Sequence, residues 1–318
     1  MKLFSLFITV PVCLFISLIL PGCNHSRQVV PFDIDVDEIT KPLSPNDDSN
    51  PMDLTFGKEN IPGFVFDYEM ETEKPDVFVF FQNLTILDTK PEITQDIFEF
   101  IQGQLCEYGF INDSVSLVPG EFESLISSGL KYNEAAARLI DRQKQEFNSQ
   151  IETLDSLNYP FNIYFNIYPV YLDKNYVTYW QSAYCYTGGA HGITTSYLKT
   201  YDLNSGKLLT YDNIIKENHL EEVREEVAAH MAYSYPIYEN ISTVEQYLDS
   251  LNVWLDHFSS EDSKDLITVQ NFPLNDVAIT KDGLVFMYQM YELTPGSDGC
   301  PMVLIPYKDI KGCLQISL

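Results

Sequence analysis

The sequence predicts an α+β protein: antiparallel sheets packed with helices, in two closely associated subdomains that follow a disordered tether. Three observations carry this. Aromatic residues make up 14% of the chain, with 21 Tyr and 20 Phe, and such side chains pack well on a pleated sheet. Apolar residues recur at strand spacing in some stretches and at helical spacing in others. Strands and helices are grouped and do not alternate one for one, which argues against a doubly wound parallel sheet.

The chain opens with Met1-Lys2 and an apolar run that ends at Leu20-Pro21-Gly22-Cys23. A positive start, a hydrophobic region and a small residue before the cut read as a secretory signal over residues 1–22. The last four residues resemble a bacterial lipobox, so Cys23 is the expected lipid attachment point and the cell envelope the expected location, on its periplasmic or surface side. Pro21 is not the usual occupant of its position. Residues 23–52 combine Pro31, Pro42, Pro45 and Pro51 with many acidic side chains. Such a stretch buries too little surface to offset its ordering entropy and reads as a tether. The folded part divides near Tyr201, giving units 53–200 and 201–318.

Residues 64–70 and 77–88 read as strands, the second almost wholly apolar and so covered on both faces. Pro91 then opens a helix carrying Ile93, Ile97, Phe98, Ile101 and Leu105 at helical spacing. A longer helical region spans 121–154. Residues 161–172 and 176–186 form a hairpin through Asp173-Lys174-Asn175, and 194–203 with 207–210 form a second through Asn204-Ser205-Gly206. Two helices follow, one along Leu220, Val223, Val227 and Met231, the other along Tyr247, Leu251, Trp254 and Phe258. Strands at 276–280, 284–291 and 302–306 close the chain.

Between two of these strands lies Tyr186-Thr187-Gly188-Gly189-Ala190-His191-Gly192. Glycines there mark a turn needing positive φ or close approach to the main chain. Two readings stand: a structural connection with a histidine packed beside it, or a binding site. The second makes Tyr186, Gly188, Gly189, His191 and Gly192 the candidate binding residues.

The histidines lack metal-ligand spacing, and neither a nucleophile elbow nor a phosphate loop is present. No metal, cofactor or catalytic residue is therefore expected, although His191 with a carboxylate such as Asp202 would be an oriented base. Past Cys23, Cys106, Cys185, Cys300 and Cys313 allow three disulfide pairings. Cys300 with Cys313 is the first to test, because both flank the last strand; free thiols are the alternative. The net charge of −27 excludes nucleic acid as a partner by phosphate repulsion and suits a cationic one.

The run Thr187-Gly188-Gly189-Ala190-His191-Gly192 is followed by Thr200-Tyr201-Asp202-Leu203 and Ser205-Gly206-Lys207-Leu208-Leu209. Near the end stand Asp282-Gly283-Leu284-Val285-Phe286, Tyr288, Tyr291-Glu292-Leu293, Gly299 and Val303-Leu304-Ile305-Pro306-Tyr307. Together these blocks resemble the RsiV-like family of extracytoplasmic modules, known from an anti-sigma-V factor, and the region preceding the catalytic domain of a peptidoglycan deacetylase. The resemblance implies a non-catalytic module that binds lysozyme or another basic cell-wall hydrolase. Its second member implies the alternative, recognition or modification of peptidoglycan.

Overall fold

The computed structural model of the chain describes residues 63–65, 68–70, 77–108, 120–151, 161–188, 190–237, 241–258 and 266–317. The residues read as signal and tether, Cys23 among them, lie outside the described residues. Among those described, no helix is long and apolar enough to cross a membrane.

The first sheet contains β1 (Gly63–Val65), β2 (Tyr68–Met70), β3 (Val77–Leu87), β4 (Phe161–Leu172), β5 (Tyr176–Tyr186) and β6 (Ile193–Asp202). Its order is β1-β3-β4-β5-β6, with β2 also paired to β3. Residues 64–70, read as one strand, are thus two short strands on different parts of β3. Most pairings are antiparallel, but β3 and β4 run parallel. A parallel pair needs a crossover, and here it contains α1 (Pro91–Glu107), α2 (Glu121–Ser127) and α3 (Tyr132–Ile151). The helical region expected over 121–154 is split by Gly129. That residue takes φ 97, and the amides of Gly129 and Leu130 donate to the carbonyls of Ile126 and Leu125. These two bonds are a Schellman closure, which stops α2 by satisfying its last carbonyls.

The β4–β5 hairpin has the expected limits because its turn is encoded locally. Asp173 Oδ1 accepts from the amides of Asn175 and Tyr176, each at 2.7 Å. At the next turn Asp202 Oδ1 accepts from Asn204 and Ser205, and Gly206 takes φ 72. The strand expected at 207–210 reduces to a single bridge, Tyr201 to Leu208.

The chain then forms α4 (Tyr211–Ile214), α5 (Leu220–Ser234) and α6 (Val244–Phe258). It ends in an antiparallel sheet of β7 (Val277–Ile279), β8 (Gly283–Met287) and β9 (Met302–Pro306), with α7 (Tyr307–Ile310) behind.

Side-chain alternation then sets the layers. On β4 and β5, Ile163, Phe165, Ile167, Val177, Tyr179 and Cys185 face α1 and α3 in one core. On the second sheet, Val277, Ile279, Leu284, Phe286, Val303 and Ile305 face α5 and α6 in another. The intervening positions, Tyr168, Trp180 and Leu198 of the first sheet with Ala278, Val285, Met287 and Leu304 of the second, form a third cluster between the sheets. The order is helices, sheet, sheet, helices. Over most of its length β5 is covered on both faces, which is why it is almost continuously buried.

Two threonines register the sheets. Thr178 Oγ1 donates to the Ile279 carbonyl at 2.6 Å, while Thr200 Oγ1 accepts from the Ile279 amide at 2.9 Å. An edge residue of β7 is thereby satisfied by side chains, where no neighbouring strand is available among the described residues.

Candidate functional site

Tyr186 closes β5 opposite Asn162 of β4. Beyond it Gly188 takes φ 96, a conformation open to glycine at little steric cost. Gly189 lies outside the described residues. Gly192 is buried against Tyr184: a Cβ added there would stand 2.5 Å from the ring's Cζ and 2.6 Å from the Cys185 carbonyl oxygen. Only glycine fits.

His191 is exposed. Its Nδ1 lies 3.0 Å from the Gly192 carbonyl and its Nε2 lies 3.3 Å from the Tyr291 hydroxyl. A carbonyl only accepts, so Nδ1 carries the proton and donates, leaving Nε2 to accept from Tyr291. The pairing with Asp202 is not made. Asp202 ends β6, whereas His191 precedes its start, and its Oδ1 is spent on the 204–205 turn.

Tyr291 is the residue that sequence reasoning missed as part of the site. It stood inside a block used for the family resemblance, without a role. It adopts φ 68, uncommon for a bulky side chain and a mark of a constrained segment. A Cβ at Gly296 would come within 2.2 Å of its ring, so a glycine makes room here as well. Gln289 ties this segment to β6: Oε1 accepts from the Ser196 amide at 3.2 Å and Nε2 donates to the Ser196 carbonyl at 2.6 Å. The two sequence blocks, about a hundred residues apart, therefore meet at one hairpin end.

The resulting surface carries Tyr184, Ile193 and Tyr291 at 40%, 47% and 45% exposure. The ring of Tyr164 lies 6.1 Å from that of Tyr184, and the His191 and Tyr291 rings are 6.4 Å apart. Aromatic faces beside a donor-acceptor edge suit contact with another molecule.

Two half-buried carboxyls converge on Gln289. Glu292 Oε2 accepts from its amide at 2.7 Å, and the Asp276 carboxylate lies beside its side chain. Burial pushes both carboxyls above their ordinary range, and for Glu292 the neighbouring Asp276 charge adds to the rise. A raised folded-state value means that protonation is easier in the fold than in the open chain. These groups therefore add stability at low pH and lose it as pH rises through the raised value. Glu292→Gln should stabilise the protein at neutral pH, and its advantage over the parent should vanish near about pH 4, within the usual carboxylate range. Urea denaturation at the two pH values measures this. An advantage that grows on acidification would contradict the assignment.

Among the described residues, Cys185, Cys300 and Cys313 are free thiols, and the expected Cys300–Cys313 bond is not formed. Cys300 Sγ donates to the Thr194 carbonyl at 3.4 Å, beside the hairpin, whereas Cys313 lies with Glu222 and His219. Flanking the same strand did not bring them together, because residues 307–313 turn away through α7 to the start of α5. Burial pushes the Cys185 thiol up to about 12 and raises Cys300 and Cys313 as well, so all three are poor nucleophiles.

A separate cavity of about 380 Å³ is lined by Glu92, Asp96, Glu99 and Glu123 together with Tyr201 and Gly206. It lies at the far end of β6 from the hairpin. Asp96 is already engaged there by Lys199 at 2.8 Å and by the Tyr201 hydroxyl.

Residues 211–308 match the model of a family of unknown function, DUF3298. This stretch supplies α4 to α6, the second sheet and the Tyr291 segment. A crystal structure of a DUF3298 family member from Bacteroides fragilis is 17% identical to this chain with a TM-score of 0.51, and covers 81% of this chain and 94% of that one. Its resemblance is one of fold. A DUF3298 family protein from Pseudomonas aeruginosa is 16% identical with a TM-score of 0.46, over 81% and 95% of the two chains. No curated protein matches.

Proposed function

We propose that this protein is a non-catalytic binding module of the bacterial cell envelope, held at the membrane by lipid on Cys23, which captures lysozyme or another basic cell-wall hydrolase. The observation that carries the reading is the His191–Tyr291 contact. It assembles an exposed aromatic surface from the two blocks on which the family resemblance rests. The net charge of −27 supplies long-range attraction for a cationic partner, which speeds encounter more than it fixes affinity.

Titration calorimetry of the purified chain with lysozyme at two ionic strengths tests this. Binding should be present at low salt and weaken as salt screens the attraction. His191→Ala should weaken binding several-fold while leaving the melting temperature near that of the parent, since the side chain is exposed. Absence of binding at low salt removes the reading; a large loss of stability with binding intact makes His191 structural.

The exposed rings of Tyr184 and Tyr291 also suit stacking on sugars, which supports peptidoglycan as the alternative ligand. Retention on purified peptidoglycan, with no binding of lysozyme, would favour it.

A further inference from the structure

We propose that His219, Glu222 and Cys313 form a binding site for a divalent transition-metal cation of zinc's class. This site is independent of the hairpin surface. One ligand atom from each residue lies within 4.8 Å of the others, and His219 Nδ1 stands 2.8 Å from Glu222 Oε2.

The pair alone would be an ordinary contact across one turn, since His219 caps α5 and Glu222 lies in its first turn. The thiol changes that reading. Cys313 is 2% exposed and comes from the turn that follows α7, yet its sulfur lies within 4.8 Å of the ligand atoms of His219 and Glu222. Its approach is fixed by the main chain. Ile215 bridges Leu314, the Lys216 amide donates to the Cys313 carbonyl at 2.8 Å, and Lys216 Nζ donates to the Gly312 carbonyl at 2.7 Å. The donors are thus held together by backbone contacts that do not depend on them.

Sulfur, imidazole nitrogen and carboxylate oxygen together suit zinc, cobalt, nickel or copper, and not magnesium or calcium, which take oxygen donors. Metal-to-ligand bonds of about 2.0–2.3 Å put tetrahedral donors roughly 3.3–3.8 Å apart. Reaching that spacing requires side-chain rotations of about an ångström. Three protein donors leave a fourth position toward solvent, on the side where Glu222 is exposed and His219 half-buried. In the metal-free protein His219 Nδ1 donates its proton to the Glu222 carboxylate. Binding releases the Cys313 thiol proton to solvent and requires His219 to give up the Nδ1 proton and carry one on Nε2 by exchange with solvent, so that Nδ1 offers its lone pair. Thiolate and carboxylate then balance the dication. The Lys216 ammonium and the N-terminus of α5 oppose a cation here, but only the two anionic donors touch it, and Coulomb energy falls with distance.

The test uses the reduced, chelator-stripped full chain titrated with cobalt(II), then with zinc in competition. The parent should show a thiolate-to-cobalt charge-transfer band that zinc removes and magnesium does not, and zinc should raise its melting temperature. Cys313→Ser should abolish the band. His219→Gln and Glu222→Gln, at a half-buried and an exposed position, should weaken binding by more than about tenfold, since even the loss of an outer partner costs about that much. A band that persists in Cys313→Ser, equal affinity in His219→Gln, or no zinc effect on melting would overturn the assignment.

Discussion

Replacing Trp180 by Ala should cost about 3–5 kcal/mol of folding stability, the range for removing a large aromatic side chain from a packed core. Trp180 is 2% exposed and sits in the cluster between the sheets, against residues of both. Among the described residues the sheets share no strand pairing; apolar burial here, the Thr178 and Thr200 bonds to Ile279 and the Gln289 bonds to Ser196 set their relation. A cavity at Trp180 therefore weakens the attachment of the sheet that bears the hairpin to the one that leads into the Tyr291 segment. Urea denaturation of parent and variant measures the loss. A change below about 1 kcal/mol, within the range of a surface substitution, would mean that the sheets are held together by something else.

Gly192→Ala is expected to act on both stability and binding. The added methyl meets the Tyr184 ring and the Cys185 carbonyl at the distances given above, and one contact is with backbone, which yields less readily than a flexible side-chain end. Overpacking of this kind costs about 1–3 kcal/mol. Relief requires Tyr184 to swing away, and that removes an exposed ring from the surface assigned to the partner. A thermal melt and a lysozyme titration on the same variant separate the effects. An unchanged melting temperature with unchanged affinity would show that the hairpin end accommodates the methyl and that Tyr184 has no part in binding.

His191→Ala differs in kind. It removes an exposed contact and leaves the backbone alone, so the two variants together distinguish a surface that binds from a turn that merely has to close.

How much of this was legible in the residues depends on range. The β4–β5 hairpin was, because Asp173 closes its turn with its own carboxylate and the strands beside it are strongly apolar. Helices α1, α5 and α6 were legible in the spacing of their buried side chains. His191 and the glycines stood out because a turn between strands needs what glycine supplies.

The parallel pairing of β3 with β4 was not legible. Neither the apolar run at 77–81 nor the alternation of Ile163, Phe165 and Ile167 with Asn162, Tyr164 and Asn166 in β4 carries a sign of the partner strand's direction. The break at Gly129 was hidden by helical spacing that continues on both sides of it. Tyr291 beside His191, and Cys313 beside Glu222 and His219, arise from contacts about a hundred residues apart along the chain. By itself the sequence determined the class of the fold, most of its elements and the hairpin end as a place of interest. Tertiary structure decided which sheet faces meet, which distant side chains complete the hairpin surface, and which cysteines stay apart. The division has a physical cause: turn chemistry and periodicity act within a few residues, whereas pairing and packing depend on surfaces that exist only once the layers have closed.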